Sequence, residues 1–297
     1  MEIVVDSENN KRIDAYLSSK LEYSRSKIEK MLEDGLILID GKKIKRSYVP
    51  KAGDIIAVTE PEVKQMNVEA ENIPLDIVYE DEDVIIVNKG NGMVVHPAEG
   101  NNNGTLVNAL LFHSKNLSNV NGEFRPGIVH RIDAYTTGLL MIAKNDKAHE
   151  ELAKELSISK TKRKYIALVW GVINEDTATI DAPIGRDSTD RKKMAITSNG
   201  KDAITHLKVL ERYKNATLVE LTLETGRTHQ IRVHMNYIGH PVVNDPVYGR
   251  RKLIDNTGQC LHAKTIGFTH PRTHKYMEFT SELPECFINI LNKFKEE

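Results

Sequence analysis

One carboxylate stands out by its neighbours. In "GIVHRIDAYTTGLLMIAK" (127–144), Asp133 follows Arg131 by two residues and precedes Thr136, Thr137 and a glycine, with apolar runs on both sides. A loop aspartate usually bonds its own backbone, and by itself Asp133 reads that way. Two further groups change the reading. Tyr165 follows the basic run "KTKRK" (160–164), and "TGRTHQIRVHMNYIGHPVVNDPVYG" (225–249) is dense in donors, with Arg227, His229 and Arg232 among them. Alone, Tyr165 reads as a strand aromatic and Arg232 as a surface strand arginine. Together they make one chemical set. A nucleophilic carboxylate needs a cation that keeps it ionised and aimed, an aromatic face can carry a flat base, and a second cation can invade a nucleic-acid helix.

Other chemistries find less support. The chain has eleven histidines, but His229 and His234, paired within "THQIRVH", suit no shared ion. Five residues place them on opposite faces of a strand, or about 140° apart on a helix. No Cys-His cluster accompanies them. Neither G-x-x-x-x-G-K-[ST] nor a G-x-G-x-x-G between strand and helix occurs. No metal and no cofactor are expected.

The elements that must position these residues fall into two groups. Between 13 and 58 the pattern reads helix, helix, then a small β unit. Ile13, Leu17 and Leu21 keep helical spacing, and Ser24 is a candidate cap for a second helix carrying Ile28, Met31 and Leu32. "LILIDGKKI" (36–44) is a strand entering an Asp-Gly turn, and "KAGDIIAV" closes the unit. Residues 59–76, with prolines and many acids, read as a linker. Beyond 77, "DVIIVNK" (83–89), "GLLMIAK" (138–144), "KYIALVWG" (164–171) and "LVELTLE" (218–224) read as strands, while 104–113 and 146–156 read as helices. Within 164–171, Tyr165, Ala167 and Val169 share one face and Ile166, Leu168 and Trp170 the other. Strands outnumber helices at irregular intervals, which predicts an α+β fold with a mixed, mostly antiparallel sheet.

At 297 residues the chain exceeds one ordinary core, so a small and a large unit are expected: 12–59, a linker 60–76, and 77–297. No 18-residue apolar run occurs, and "MEIVVDSENN" lacks the pattern of a signal peptide. Two cysteines, Cys260 and Cys286, read as thiols of a reducing cytoplasm. The formal charge of −1 conceals an asymmetry. Residues 11–51 hold eleven Lys/Arg against six Asp/Glu, a local +5, while 52–83 hold one Lys and ten acids, a local −9. A basic head binds polyanions by releasing their counterions. Arg25, Lys27, Lys30, Lys42, Lys43 and Lys45 are its candidate RNA contacts; the bland alternative is a solvated helix surface.

Two resemblances add to this reading. "RIDAYLSSKLEYSRSKIEKMLEDGLILIDGKKI…KAGDII" resembles the S4-like RNA-binding domain, with Asp40 where such domains usually carry Asn. The pieces "VVNKGNGMVVHPA", "RPGIVHRIDAYTTGLLMIAKN", "KYIALVWG", "GRDSTDRKKMAI", "TGRTHQIRVHMNYIGHPVVND" and "CLHAKTIGFTHP" resemble, in order and spacing, the motifs of the RluA/RluD family of pseudouridine synthases. The resemblance implies Asp133 as the catalytic aspartate, Tyr165 as the ring that stacks on the target base, Arg232 as the cation paired with the aspartate, and Arg131 as the residue that fills the stack the uridine leaves. Thr136, Thr137, Arg227 and His229 flank these positions as candidate substrate contacts. Ala134 and Tyr135 replace a usual charged pair, Gly90 and Asn91 replace Pro-Ala, and "RDST" replaces a usual "RHP" stretch. None removes a catalytic residue, and the first two bear on the RNA target and not on the reaction.

One acid suffices for such a reaction. Isomerising uridine breaks N1–C1′ and joins C5 to C1′, with no water to activate and no group discarded, unlike glycoside hydrolysis and its two carboxylates. The sequence leaves open whether Asp133 attacks C1′ or takes a ribose proton. The implied substrate is large-subunit rRNA or a pre-ribosomal particle, handled by a cytoplasmic monomer with no membrane contact. The competing reading is a non-catalytic RNA-binding protein of ribosome assembly, which would tolerate loss of Asp133.

Overall fold

The structure, a computed structural model, describes residues 1–5, 10–21, 23, 25–59, 68–98, 100–122, 125–190, 193–249 and 253–296. The chain divides into two compact units, Met1–Gln65 and Met66–Glu297. Residues 60–67 of the expected linker, and Ser24, lie outside the described residues.

The small unit contains β1 (Glu2–Val4), α1 (Ile13–Lys20), α2 (Arg25–Glu33), β2 (Ile37–Ile39), β3 (Lys42–Lys43) and β4 (Ile55–Val58). Helical spacing carries Ile13 and Leu17 of α1, and Ile28, Met31 and Leu32 of α2, into one core with Ile37, Ile39, Ile56 and Val58. At the Asp-Gly turn Asp40 (φ 47°) and Gly41 (φ 75°) are both left-handed, the geometry that fits a tight hairpin. The antiparallel sheet runs β1-β4-β2-β3. β1 departs from the sequence reading, which begins this unit at 12: Glu2 to Val4 pair with Ala57 to Ile55. A three-residue strand offers too short an alternation to read.

The large unit contains β5 (Ile77–Glu80), β6 (Val84–Lys89), α3 (Leu106–His113), β7 (Thr137–Ala143), α4 (Asp146–Ser157), β8 (Lys162–Trp170), β9 (Thr177–Asp181), β10 (Ile184–Arg186), β11 (Met194–Ile196), β12 (Ile204–Arg212), β13 (Ala216–Leu223), α5 (Gln230–Tyr237), β14 (Leu261–Thr269), β15 (Tyr276–Thr280) and α6 (Glu285–Lys295). Its main sheet runs β5-β6-β7-β14-β8-β13-β12-β9, with β15 also on β14, and β10 pairs with β11 apart from it. Among these pairings only β7 with β14 is parallel, so the sheet is mixed and mostly antiparallel.

Alternation along β8 decides the layers. Tyr165, Ala167 and Val169 pack with Leu221 and Leu223 of β13, Leu261 and Ala263 of β14, and Ile231 and Met235 of α5. Ile166 and Leu168 turn to Phe287, Ile290, Leu291 and Phe294, the 3–4-spaced stripe of α6. Each such buried side chain contributes about 1.5–3 kcal/mol. β7 is buried on both faces, Leu139 and Met141 toward α4, Leu140 and Ile142 toward α3. It meets β14 at Gly138 (φ 107°), where a Cβ would strike the Ala263 backbone. That contact explains the glycine of "TTGLL" and fixes the loop before β7.

Candidate active site

A cleft of about 640 Å³ opens between the 125–136 loop, β8, the end of β13 and the start of α5. Asp133, Tyr165 and Arg232 all line it, although 99 residues separate the acid from the arginine. Arg232 Nη1 donates to Asp133 Oδ2 at 2.9 Å. On its other side Arg232 makes two parallel bonds to Asp245, Nε to Oδ2 at 2.7 Å and Nη2 to Oδ1 at 2.8 Å. Backbone N–H groups of Val247 and Tyr248 donate to the same Asp245 Oδ1 at 2.8 and 3.0 Å. The forked arrangement aims the guanidinium, and the guanidinium in turn aims Asp133. Burial alone would lower the Arg232 pKa, but the Asp245 and Asp133 carboxylates overcome it and raise it. Burial would likewise raise the Asp245 pKa, and Arg232 reverses this.

By its local sequence Arg232 reads as a surface strand arginine. The structure corrects both parts of that description. "QIRVHMNY" is helix α5, and Arg232 is 4% exposed. Helical period brings Ile231 and Met235 onto the core and leaves Arg232 facing the loop that carries Asp133.

The Asp133 loop is itself held. Thr136 N–H donates to the Asp133 carbonyl at 3.0 Å, closing a turn through Ala134 and Tyr135. Lys89, 1% exposed, donates from Nζ to the carbonyls of Ala134 and Gly90 at 2.7 and 2.8 Å. Burial lowers its pKa to about 7, with Asp133 acting in the opposite direction.

His229 lines the cleft at the cap of α5 in a left-handed conformation (φ 56°). Its Nε2 lies 3.7 Å from Asp133 Oδ1. Its Nδ1 bonds Tyr248 Oη at 2.8 Å, and Met194 N–H donates to the same oxygen at 2.9 Å. Burial lowers the His229 pKa, with Asp133 acting in the opposite direction, and Arg232 is the cation hydrogen-bonded to Asp133. His234 turns away, bonded to Thr205 at 2.9 Å and the Ala182 carbonyl at 3.0 Å.

The other candidates divide. Arg131 lines the cleft and is exposed, with Nη1 donating to His96 Nε2 at 3.2 Å. Arg227 lines it with Nε on the Asp202 carbonyl at 2.9 Å. Thr136 also lines it, its Oγ1 accepting from Gln259 at 3.0 Å. Thr137 does not: it is the first residue of β7, bonded to His262 Nδ1 at 2.8 Å and buried. Thr136 ends the loop and Thr137 opens the strand, and their side chains meet different partners. In the small unit Arg25, Lys30, Lys42, Lys43 and Lys45 are exposed, and the Lys27 side chain lies outside the described residues.

Sequence reasoning missed Asp245, Lys89, His96 and Arg163. Asp245 had a signal, an acid in the quoted "HPVVNDPVYG". Lys89 had another, a lysine ending an otherwise apolar strand. The basic run hid Arg163. Lys162 and Lys164 reach Glu278 and Glu220 at 2.9 and 2.8 Å, while Arg163 shares the Tyr165 face and lines the cleft. Away from the cleft Asp81, Asp83 and His270 come within ligand distance of one another. Arg272 donates to both Asp83 oxygens at 2.6 and 2.9 Å, and His270 bonds Asp81 at 2.7 Å, so the group is a paired ion network.

The family model for RNA pseudouridylate synthase matches residues 83–237, and the S4 domain model matches 11–56. The chain belongs to the RNA pseudouridylate synthase family, isomerases that act on RNA. It is 51% identical over 292 residues to an uncharacterized RNA pseudouridine synthase, YlyB, of Bacillus subtilis, covering 98% of this chain and 96% of that one. It is 42% identical over 289 residues to the ribosomal large subunit pseudouridine synthase D of Pseudomonas aeruginosa, covering 93% and 89%. Human RNA pseudouridylate synthase domain containing 1 superposes with a TM-score of 0.59 at 25% identity, over 80% of this chain and 98% of that one.

Proposed function

We propose that this protein isomerises specific uridines of large-subunit (23S) ribosomal RNA, as a cytoplasmic monomer that needs no cofactor. The observation that carries the proposal is the Asp133–Arg232–Asp245 chain of bonds at 2.9, 2.7 and 2.8 Å in a cleft large enough for a nucleotide. Asp133 works at the ribose, on C1′ or on a neighbouring C–H, while N1–C1′ breaks, the base turns, C5 joins C1′, and the C5 proton leaves as N1 gains one. Tyr165, 7% exposed on the core side of β8, supplies the face for the uracil. Arg131 at the mouth occupies the stack from which the uridine is drawn, offsetting unstacking of about a few kcal/mol. Arg227, His229 and Thr136 surround the nucleotide, and the exposed cations of the small unit hold flanking phosphates. Support for the RNA target comes from relatives named for the large ribosomal subunit.

A protein that only binds RNA has no use for a guanidinium held this firmly around one acid, and no feature of the cleft favours that alternative. Purified protein and large-subunit rRNA transcripts with isotope-labelled uridine, without added cofactor, should yield pseudouridine at a small set of positions. The same positions should remain uridine in ribosomes from a strain lacking the gene. Transcripts left without pseudouridine, together with a full set of pseudouridines in ribosomes of the deletion strain, would remove the proposal. Within the site, Tyr165→Phe keeps the stacking face, whereas Tyr165→Ala should lose roughly 1–3 kcal/mol of RNA binding. Loss of turnover in Phe as well would assign the hydroxyl to proton transfer.

A further inference from the structure

A buried guanidinium gives up its water and cannot relieve the cost by losing its proton. Such groups persist where an anion meets them. Arg163 is 7% exposed and has, among the described residues, a single hydrogen bond, from Nη2 to the Glu224 carbonyl at 3.1 Å. Its Nε is closed off from solvent and has no partner among them. No carboxylate of the described residues forms an ion pair with it.

Its surroundings are positive. Arg163 lines the cleft beside Gly226 and Arg227. Gly226 lies so close that a Cβ there would stand 2.5 Å from Arg163 Nη1. Arg227 is tied through Nε to a backbone carbonyl, which leaves its charge unneutralised. Arg125 and Arg131 line the same cleft. His130 accepts the Met141 N–H at Nε2, 3.0 Å, so that nitrogen holds no proton; burial and then the Arg163 charge push its pKa to about 3. Asp133 is the one carboxylate among the lining residues, and Arg232 already engages it. This lobe has cations in excess and no anion of its own.

Position supplies the ligand. Arg163 and Tyr165 are two residues apart on β8, on one face, about 6.6 Å along the strand. A uracil resting on Tyr165 therefore holds its own sugar and phosphates within reach of the guanidinium. We propose that Arg163, with Arg227 and the Gly226 backbone, forms a subsite for an RNA backbone phosphate adjoining the uridine in the cleft. The subsite rests on the reading of that cleft as a uridine site, and gives it a second anchor besides Arg232.

Full-length protein titrated with uridine 3′,5′-bisphosphate and with uridine tests it. Wild type should bind the bisphosphate at least about tenfold more tightly, the size of a hydrogen bond to a charged group. Arg163→Met should lose that preference, with uridine affinity held within about twofold. Gly226→Ala, which displaces the guanidinium and keeps its charge, should weaken the bisphosphate in the same direction. Since Met replaces an unpaired buried charge, Arg163→Met should melt at or above the wild-type temperature. Equal losses on both ligands would assign Arg163 to the nucleoside and overturn the phosphate subsite. A lowered melting temperature with the preference intact would make Arg163 structural and overturn it too. The rRNA conversion assay scores the activity separately. Conversion by wild type without a preference for the bisphosphate removes the subsite alone; no conversion removes the uridine site and the subsite with it.

Discussion

Arg232 and Arg163 border one cleft and are almost equally buried, at 4% and 7% exposure, but their surroundings are opposite. Arg232 has every nitrogen engaged by a carboxylate: two bonds to Asp245 and one to Asp133. Among the described residues Arg163 has a single carbonyl. A guanidinium whose three nitrogens are all held by the protein's own carboxylates is committed in place, and its value is geometric: it holds an acid in a fixed position before substrate arrives. A guanidinium left unsatisfied is a cost carried until a ligand relieves it. On the proposed reading, the first end of the cleft serves chemistry and the second serves binding.

Asp133→Asn is the sharpest test of the first end. It keeps the shape and removes the charge, so turnover should fall below detection while RNA affinity stays within a few fold. Arg232 keeps both bonds to Asp245, and the melting temperature should hold. Near-wild-type conversion of labelled uridine would end the assignment.

Asp245→Asn should do the reverse in part. Arg232 would lose its buried counter-charge and its bidentate hold, costing about 3 kcal/mol or more of stability. Turnover should fall on the order of 10²-fold as the guanidinium loosens around Asp133. Thermal melts beside single-turnover rates separate the two variants: one inactive and stable, the other weakened in both. A stable, fully active Asp245→Asn would break the claim that saturation fixes the geometry.

The difference between the two arginines also marks what the sequence disclosed. That Asp133, Tyr165 and Arg232 belong to one cleft was legible because short motifs carry them, and the strands of β6, β7, β8 and β13 were legible by apolar alternation. Arg232's burial was not, because "THQIRVH" has too few apolar residues to declare a helix face. Arg163 was masked by Lys162 and Lys164, which make a cationic run of what is an alternating strand. Extending the Tyr165–Ala167–Val169 face back one step would have found it. Asp245 meets Arg232 only through the turn at 244–248, a tertiary pairing that no local pattern encodes. Thr137 was grouped with its neighbour Thr136, but it opens β7 and its hydroxyl pairs with His262 instead of lining the cleft.

Lys89 offers a smaller effect with a definite sign. Its folded pKa lies at about 7 because burial disfavours the charged amine, whereas the unfolded chain keeps the proton to about 10.4. Between those values the unfolded state binds more protons, so stability rises with pH, by up to about 1.4 kcal/mol per unit. The contribution is present in full above the unfolded value and is lost as pH falls through the folded one. Lys89→Met should flatten the stability slope between about pH 7 and 9, read from urea melts at each pH. An unchanged slope would place the proton elsewhere.

The smallest expected change comes from the small unit. Removing residues 1–59 takes away Arg25, Lys30, Lys42, Lys43 and Lys45, all exposed, but leaves Arg125, Arg131, Arg163 and Arg227 lining the cleft. Each cation withdrawn from a phosphate should lower the slope of log affinity against log salt by about one. The truncated protein should therefore bind structured rRNA a few fold more weakly at low salt, with a shallower slope that does not reach zero. The cleft's own cations account for the remainder, and Arg163→Met in the truncated chain should lower it by about one more. If truncation alone abolishes the salt dependence, the cleft holds no phosphate, and the contrast between its two arginines loses its functional meaning.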